Sequence, residues 1–292
     1  MRCFSDYNPI VISVYFFGVS GIAMFCMNPI ILLLSLFGAL LFFLMQSGNR
    51  KLKSHIAFAV LFVIMTVLNP LVSHNGATVM FVLNDRPITA EALLYGVIAS
   101  VMIISVIYWF RSFTWIMTSD KLLYVFGKLS PKLALILSMG LRYVPLIGKQ
   151  AEKVNRAQTA LGLYKDDNII DKARGGIRVF SVIVTWALEN GIFTADSMAS
   201  RGYGIGRRSH YSIFSFRRSD RACLALTLIL FIMTSISVGA NALDFVFYPT
   251  VRMAELSALS LLGYISYGAL VLLPAFIEAE EKIKWKYLRS RI

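Results

Sequence analysis

The residues best suited to chemistry lie in one stretch, residues 195–208, which reads ADSMASRGYGIGRR. An amphipathic run stops there in glycines and arginines, so a helix ends and presents guanidinium forks beside lightly covered backbone. A guanidinium can bond two oxygens of one carboxylate, which is recognition chemistry rather than bond-breaking chemistry. Two readings of Arg201 stand at this point. As a cation in the last turn of a helix it complements the dipole, worth about 0.3 to 1 kcal/mol. On an exposed end it reaches a carboxylate or carbonyl cluster of another protein.

Other candidate chemistries fail on spacing. The run from Gly202 to Gly206 lacks the last glycine of a dinucleotide loop and follows a helical pattern instead of a strand. Neither Gly127-Lys128 nor Gly148-Lys149 has the upstream glycine and following Ser or Thr of a P-loop, so any ATP hydrolysis belongs to a partner. Cys3, Cys26 and Cys223 are scattered, and His55, His74 and His210 have no ligand spacing. Asp166, Asp167 and Asp171 lie in a turn, where a solvated loop accounts for them. No cofactor and no metal are expected.

The elements that must carry this end are membrane elements. The chain of 292 residues is 57% hydrophobic and 15% charged, with mean hydropathy +0.68, whereas soluble domains carry about a quarter charged residues. Six apolar segments approach the roughly 20 residues of a crossing helix: 10–27, 29–45, 56–72, 92–110, 222–240 and 256–277. The first ends at Asn28-Pro29 and runs into another span, not into a small-residue cleavage site.

Arg50, Lys51 and Lys53 lie between spans two and three, and Lys282, Lys284, Lys286, Arg289 and Arg291 follow the last span. The intervening loops hold only Arg86, offset by Asp85, and Arg252. Both termini are therefore expected in the cytoplasm. From Arg111 to Arg221 there are 18 basic and 8 acidic residues, most of the net charge of +13. The expected organisation is N-terminal transmembrane helices (1–110), a basic cytoplasmic domain (111–221), and C-terminal transmembrane helices with a basic tail (222–292). Anionic lipid headgroups could also account for such a basic surface.

Two long amphipathic helices are readable in the basic segment. The first, residues 131–161, carries Ser138, Arg142, Lys149, Lys153 and Arg156 on one stripe and Pro145 within it. The second, residues 171–200, carries Arg174, Arg178, Ser181, Thr185, Glu189 and Asp196 against an apolar remainder. An intramembrane Arg costs at least about 2.5 kcal/mol at mid-bilayer, which favours helices along the cytoplasmic face over two further spans. The fold class is an all-α integral membrane protein, with about six transmembrane helices plus this domain.

The order of several short motifs resembles one family. They are Asn69-Pro70-Leu71-Val72-Ser73-His74-Asn75-Gly76 with Thr89-Ala90-Glu91-Ala92-Leu93-Leu94-Tyr95-Gly96, then Leu141-Arg142-Tyr143-Val144-Pro145-Leu146, then Ala157-Gln158, and Ser200-Arg201-Gly202-Tyr203-Gly204. Together they resemble the transmembrane T component of energy-coupling-factor importers. That resemblance implies long coupling helices ending in two Ala-Arg-Gly-type motifs, docked on two ABC ATPase subunits.

The second motif is matched by Ser200, Arg201 and Gly202, and the first, by position, by Ala160, Leu161 and Gly162. Leucine stands where the family has arginine, so one end is expected to dock more weakly or differently, with Lys165 or Arg156 as compensating candidates. Ala173-Arg174-Gly175 matches by letters but starts the second helix, and is read as coincidence. The resemblance further implies a substrate-binding S component, gripped collectively by Leu135, Met139, Ile183, Trp186 and Phe193. It implies no catalysis in this chain, uptake of a vitamin, other micronutrient or metal ion, membrane lipid as surroundings and no nucleic acid. A membrane enzyme acting on lipid-like substrates and a self-contained permease remain the alternatives, although no clear internal repeat supports the latter.

Overall fold

The structure is a computed structural model describing residues 3–47, 52–73, 76–83, 86–163, 169–206, 214–253 and 257–290. It divides into two units, Met1–Leu122 with Phe214–Ile292, and Leu123–Ile213. The first holds α1 (Pro9–Phe25), α2 (Pro29–Ser47), α3 (Leu52–Val72), α4 (Ala90–Ile116), α8 (Arg218–Gly239) and α9 (Ala258–Arg289). Helix α5 (Ser119–Leu129) spans the boundary, and α6 (Pro131–Ala160) and α7 (Ile169–Ser200) make up the second unit. Two short antiparallel hairpins, β1 (Val79–Leu83) with β2 (Arg86–Thr89) and β3 (Phe245–Val246) with β4 (Arg252–Met253), and a 3-10 turn at Phe4–Asp6 complete the described elements. This is an all-α multi-pass membrane architecture.

Among the described residues six helices are long and apolar enough to cross a membrane, but they are not the expected six. Helix α1 has only 17 residues, whereas α7 qualifies with mean hydropathy 1.3, against 2.3 for α2. Helix α1 is still central to its unit, with Val11, Ile12, Tyr15 and Val19 fully buried. The basic residues that follow the expected last span, Lys282, Lys284, Lys286 and Arg289, continue α9 as helix.

In the first unit α4 packs on α1, α2 and α3, while α9 packs on α2 and α8. Both early helices start where an asparagine precedes proline. Asn8 accepts from the Ile10 N–H, and Asn28 accepts from the Ile30 N–H at 2.9 Å. The Asn28 amide also donates to Leu243 O and Tyr264 Oη, tying α2 to α9 and the loop before it.

Phe4, Tyr15, Phe16, Phe42 and Trp109 form an edge-to-face aromatic core. Its polar atoms are satisfied internally, as an apolar surround requires. Trp109 Nε1 donates to Ser35 Oγ at 3.0 Å. Pro274 removes the helical donor that Leu270 O would have had, and Tyr15 Oη donates to that carbonyl at 3.1 Å instead. At the start of α5, Lys121 Nζ donates to Ser5 O at 2.6 Å and Ile116 O at 3.1 Å. Burial pushes its pKa below the usual lysine value, partly opposed by Asp6.

Candidate functional site

Helices α6 and α7 run antiparallel. Ser130 and Pro131 open α6 with extended backbone at the cap and proline at the first helical position. Tyr143 Oη meets Thr194 Oγ1 at 2.8 Å and donates to Asn190 O at 3.4 Å. Further along, Ala151, Glu152, Asn155 and Thr159 face Lys172, Gly176 and Val179 across an open groove. The C-terminus of α6 and the C-terminus of α7 therefore lie at opposite ends of the pair, about 45 Å apart at 1.5 Å per residue.

The two ends close in the same way. After α6, the Gly162 N–H donates to Thr159 O at 3.0 Å and the Leu163 N–H to Gln158 O at 3.2 Å. After α7, the Gly202 N–H donates to Ala199 O and the Tyr203 N–H to Met198 O, both at 3.0 Å. Gly162 has φ +70° and Gly202 φ +78°, the left-handed conformation that glycine takes without cost. Each is a Schellman closure, which turns the chain sharply and leaves the residue before the glycine exposed at the tip.

What differs is the side chain at that tip. Leu161 is 74% exposed and Leu163 46%; Arg201 is exposed and followed by Tyr203 at 45%. Ser200 Oγ bonds back to Ser197 O at 3.0 Å. Ala160 is exposed like Leu161, whereas Gln158, one turn back, is buried with its Oε1 unpartnered. Of the two compensating candidates, Arg156 pairs with Glu152 one turn away, and Lys165 lies outside the described residues.

The Ala173-Arg174-Gly175 look-alike is inside α7, with Gly175 buried and absent from the positive-φ glycines. The glycines from Gly202 to Gly206 follow a helix, with no strand before them.

The motif residues near α3 and α4 meet at one end of the bundle. Glu91, 5% exposed, accepts from Thr78 Oγ1 at 2.8 Å and the Thr78 N–H at 3.2 Å. Thr89 caps α4 by accepting from the Ala92 N–H. A Cβ on Gly76 would stand 2.7 Å from both Glu91 Oε2 and Thr89 Oγ1, so the carboxylate occupies the space a side chain would need. Asn69 packs against Gly96; His74 and Asn75 lie outside the described residues. This end of the motif set has a packing role.

The expected grip residues are placed unevenly. Leu135, Met139, Ile183 and Trp186 are half-buried, and Phe193 is 64% exposed. A fuller apolar stripe lies bare on α7: Ile177, Phe180, Val184, Leu188 and Ile192. Their steps of three and four are the signal that could have singled them out.

A family model described as cobalt transport protein, CbiQ, matches residues 5–213. The chain belongs to the CbiQ family. That match spans both helix ends of this CbiQ member, Leu161 and Arg201 included. Similar proteins are energy-coupling factor transporter transmembrane proteins EcfT. The one from Streptococcus equi subsp. equi is 26% identical over 211 residues, covering 68% of this chain and 78% of the relative. The one from Listeria monocytogenes is 23% identical, covering 57% and 68%. The one from Lactobacillus helveticus is 29% identical over 101 residues, 34% of this chain, and the match spans about a third of that relative's length, 36%.

Proposed function

We propose that this CbiQ-family chain is the transmembrane coupling subunit of an energy-coupling factor importer. In this reading two partner ABC ATPase subunits bind and hydrolyse ATP, a substrate-binding S component carries the micronutrient or metal ion, and this chain joins them without catalysis of its own. The observation that carries the reading is the pair of identically closed helix ends, Ala160-Leu161-Gly162 and Ser200-Arg201-Gly202, at opposite ends of one antiparallel helix pair. The relatives' names point the same way.

Two docked tips some 45 Å apart make the helix pair a lever. When the ATPases close on ATP, both tips are carried with them, and the rigid helices pass the displacement to whatever packs on their flanks. Arg201 supplies a charged fork to one ATPase groove, and Leu161 an apolar contact to the other. The S component is gripped by the apolar flank, including Phe193 and the bare stripe from Ile177 to Ile192. The basic loops support a cytoplasmic position for both termini and the helix pair.

Co-purification in detergent with the ATPase subunits encoded beside this gene tests the reading. Native chain retains both ATPases and Arg201→Glu loses them. If the native chain retains none, a membrane enzyme or a self-contained permease becomes the better account.

A further inference from the structure

The chain passes between the two units at two places. One is the run 201–217 between α7 and α8. The other is α5, which contains the division between the units at Leu122–Leu123. Ser130 alone separates α5 from α6, so α5 leads directly into a tip-bearing helix. On its other side only Met117 and Thr118 stand between α5 and the end of α4 at Ile116. Met117 is extended, with φ −84° and ψ +91°, so the helical path is interrupted there. A few element-terminal residues of this kind are what hinges are made of.

The backbone does little to fix this joint. The Met117 N–H donates to Phe113 O and ends α4, while the Leu122 N–H donates to Thr118 O and begins α5; neither bond crosses from one helix to the other. Lys121 does cross. From the first turn of α5 its Nζ reaches back over Met117 and Thr118 to Ile116 O, one of the last carbonyls of α4, where the helix dipole favours a cation. The same ammonium donates to Ser5 O. Ser5 belongs to the 3-10 turn Phe4–Asp6, and that turn is firmly anchored: Phe4 is 1% exposed, its ring lies edge-on to Tyr15, Phe16 and Phe42, and the turn packs on α9.

One half-buried ammonium thus ties together the N-terminal turn, the end of α4 and the start of α5. A lysine that merely capped α4 would need Ile116 O alone. The second bond, to a carbonyl fixed by the aromatic core, sets where the ammonium stands and holds the first turn of α5 with it. We infer that Lys121 is the positioning residue of the pivot between α4 and α5, clasping α5 to Ser5 and Ile116 and so setting the angle at which it leaves the bundle. The consequence for transport rests on the coupling role proposed above, because a displacement of α6 reaches the bundle through α5. With the clasp closed the joint passes that displacement on to α4 and the N-terminal turn; with it open, Met117 and Thr118 absorb it.

Amide hydrogen exchange of the purified full chain in detergent tests the clasp without any partner. Lys121→Met accelerates exchange at Thr118 and Leu122 at least about tenfold, the loss expected for hydrogen bonds from a charged donor, while Val11 and Val19 in the core keep native protection. Lys121→Gln falls between, and Lys121→Arg, which restores charge and donors, recovers most of the protection. Lys128→Met, farther along α5 with its ammonium over Tyr124, leaves Thr118 and Leu122 at the native rate. Native exchange in Lys121→Met, or an equal acceleration in Lys128→Met, overturns the clasp. The positioning role is read in the complex with the ATPase subunits encoded beside this gene, with the ATP analogue AMP-PNP as probe. The analogue changes exchange at Thr118 and Leu122 in the native complex and not in Lys121→Met, while ATP hydrolysis is unchanged. The same response in both, or none in the native complex, reduces Lys121 to a helix cap and overturns the positioning role. A native chain that retains no ATPase overturns the coupling role itself, and exchange on the isolated chain still decides the clasp. If Lys121→Met does not fold, Lys121→Gln compared with Lys121→Arg decides in its place.

Discussion

The ends of α6 and α7 share one backbone and oppose each other in chemistry. Both close through a left-handed glycine and the same pair of hydrogen bonds; one tip is Leu161 and the other Arg201. The lesson is that the local code for the turn and the code for what the turn presents are separate. Glycine sets the geometry, and the residue before it is free to differ from one end to the other.

The largest effect that separates the two ends is charge reversal. Arg201→Glu costs about 2 to 5 kcal/mol of association if its fork is paired in the ATPase groove, read as loss of bound ATPase on co-purification and loss of ATP-driven uptake. Unchanged stoichiometry would remove Arg201 from docking and leave it as a helix-dipole cation. Next come Gly162→Val and Gly202→Val, each of which forces a branched side chain into positive φ at about 1 to 2 kcal/mol. Amide hydrogen exchange at Leu163 and Tyr203 should accelerate to a similar degree in the two variants; protection lost at only one end would mean that the closures are not equivalent.

Leu161→Arg is a smaller and more discriminating change. Tighter ATPase association, by about 1 kcal/mol, is expected if the facing groove keeps acidic residues, and an unchanged dissociation constant would show a groove adapted to leucine. The smallest effect is Leu161→Ala. A side chain that is 74% exposed contributes little to folding, so thermal unfolding should move by less than about 0.5 kcal/mol, with a modest fall in ATPase retention. A loss rivalling Arg201→Glu would make the apolar tip the main anchor.

Much of this was legible beforehand because helix punctuation is local. Residues 131–161 and 171–200 were expected as helices and lie at Pro131–Ala160 and Ile169–Ser200, since Pro131 and the cap glycines mark their bounds. Span membership was less legible. Helix α1 has only 17 residues and is held by aromatic packing from other helices, while α7 mixes polar and apolar positions closely enough to qualify by length. The run Glu278 to Arg289 reads as a charged tail, yet its Glu, Lys and Leu residues are strong helix formers and extend α9. Side-chain coverage was not legible at all: Leu135 and Trp186 are as apolar as Ile177 and Phe180, and only the facing helix decides which become half-buried. Nor could spacing show that Glu91 folds back onto Thr78, because that contact depends on the hairpin between them.

The hydroxyl of Tyr15 and the carbonyl of Leu270 are separated by 255 residues in the chain, and this gap sets a clock on biosynthesis. At about 5 to 20 residues per second, the ribosome delivers Leu270 roughly 13 to 50 seconds after Tyr15. During that interval α1 and α2 reside in the bilayer without their closing helix, while the whole of α6 and α7 is made in between. Assembly of the bundle is thus a post-insertion event that waits for the last helix, and a ribosome stalled anywhere in residues 123–213 leaves a membrane-inserted half that cannot seal itself.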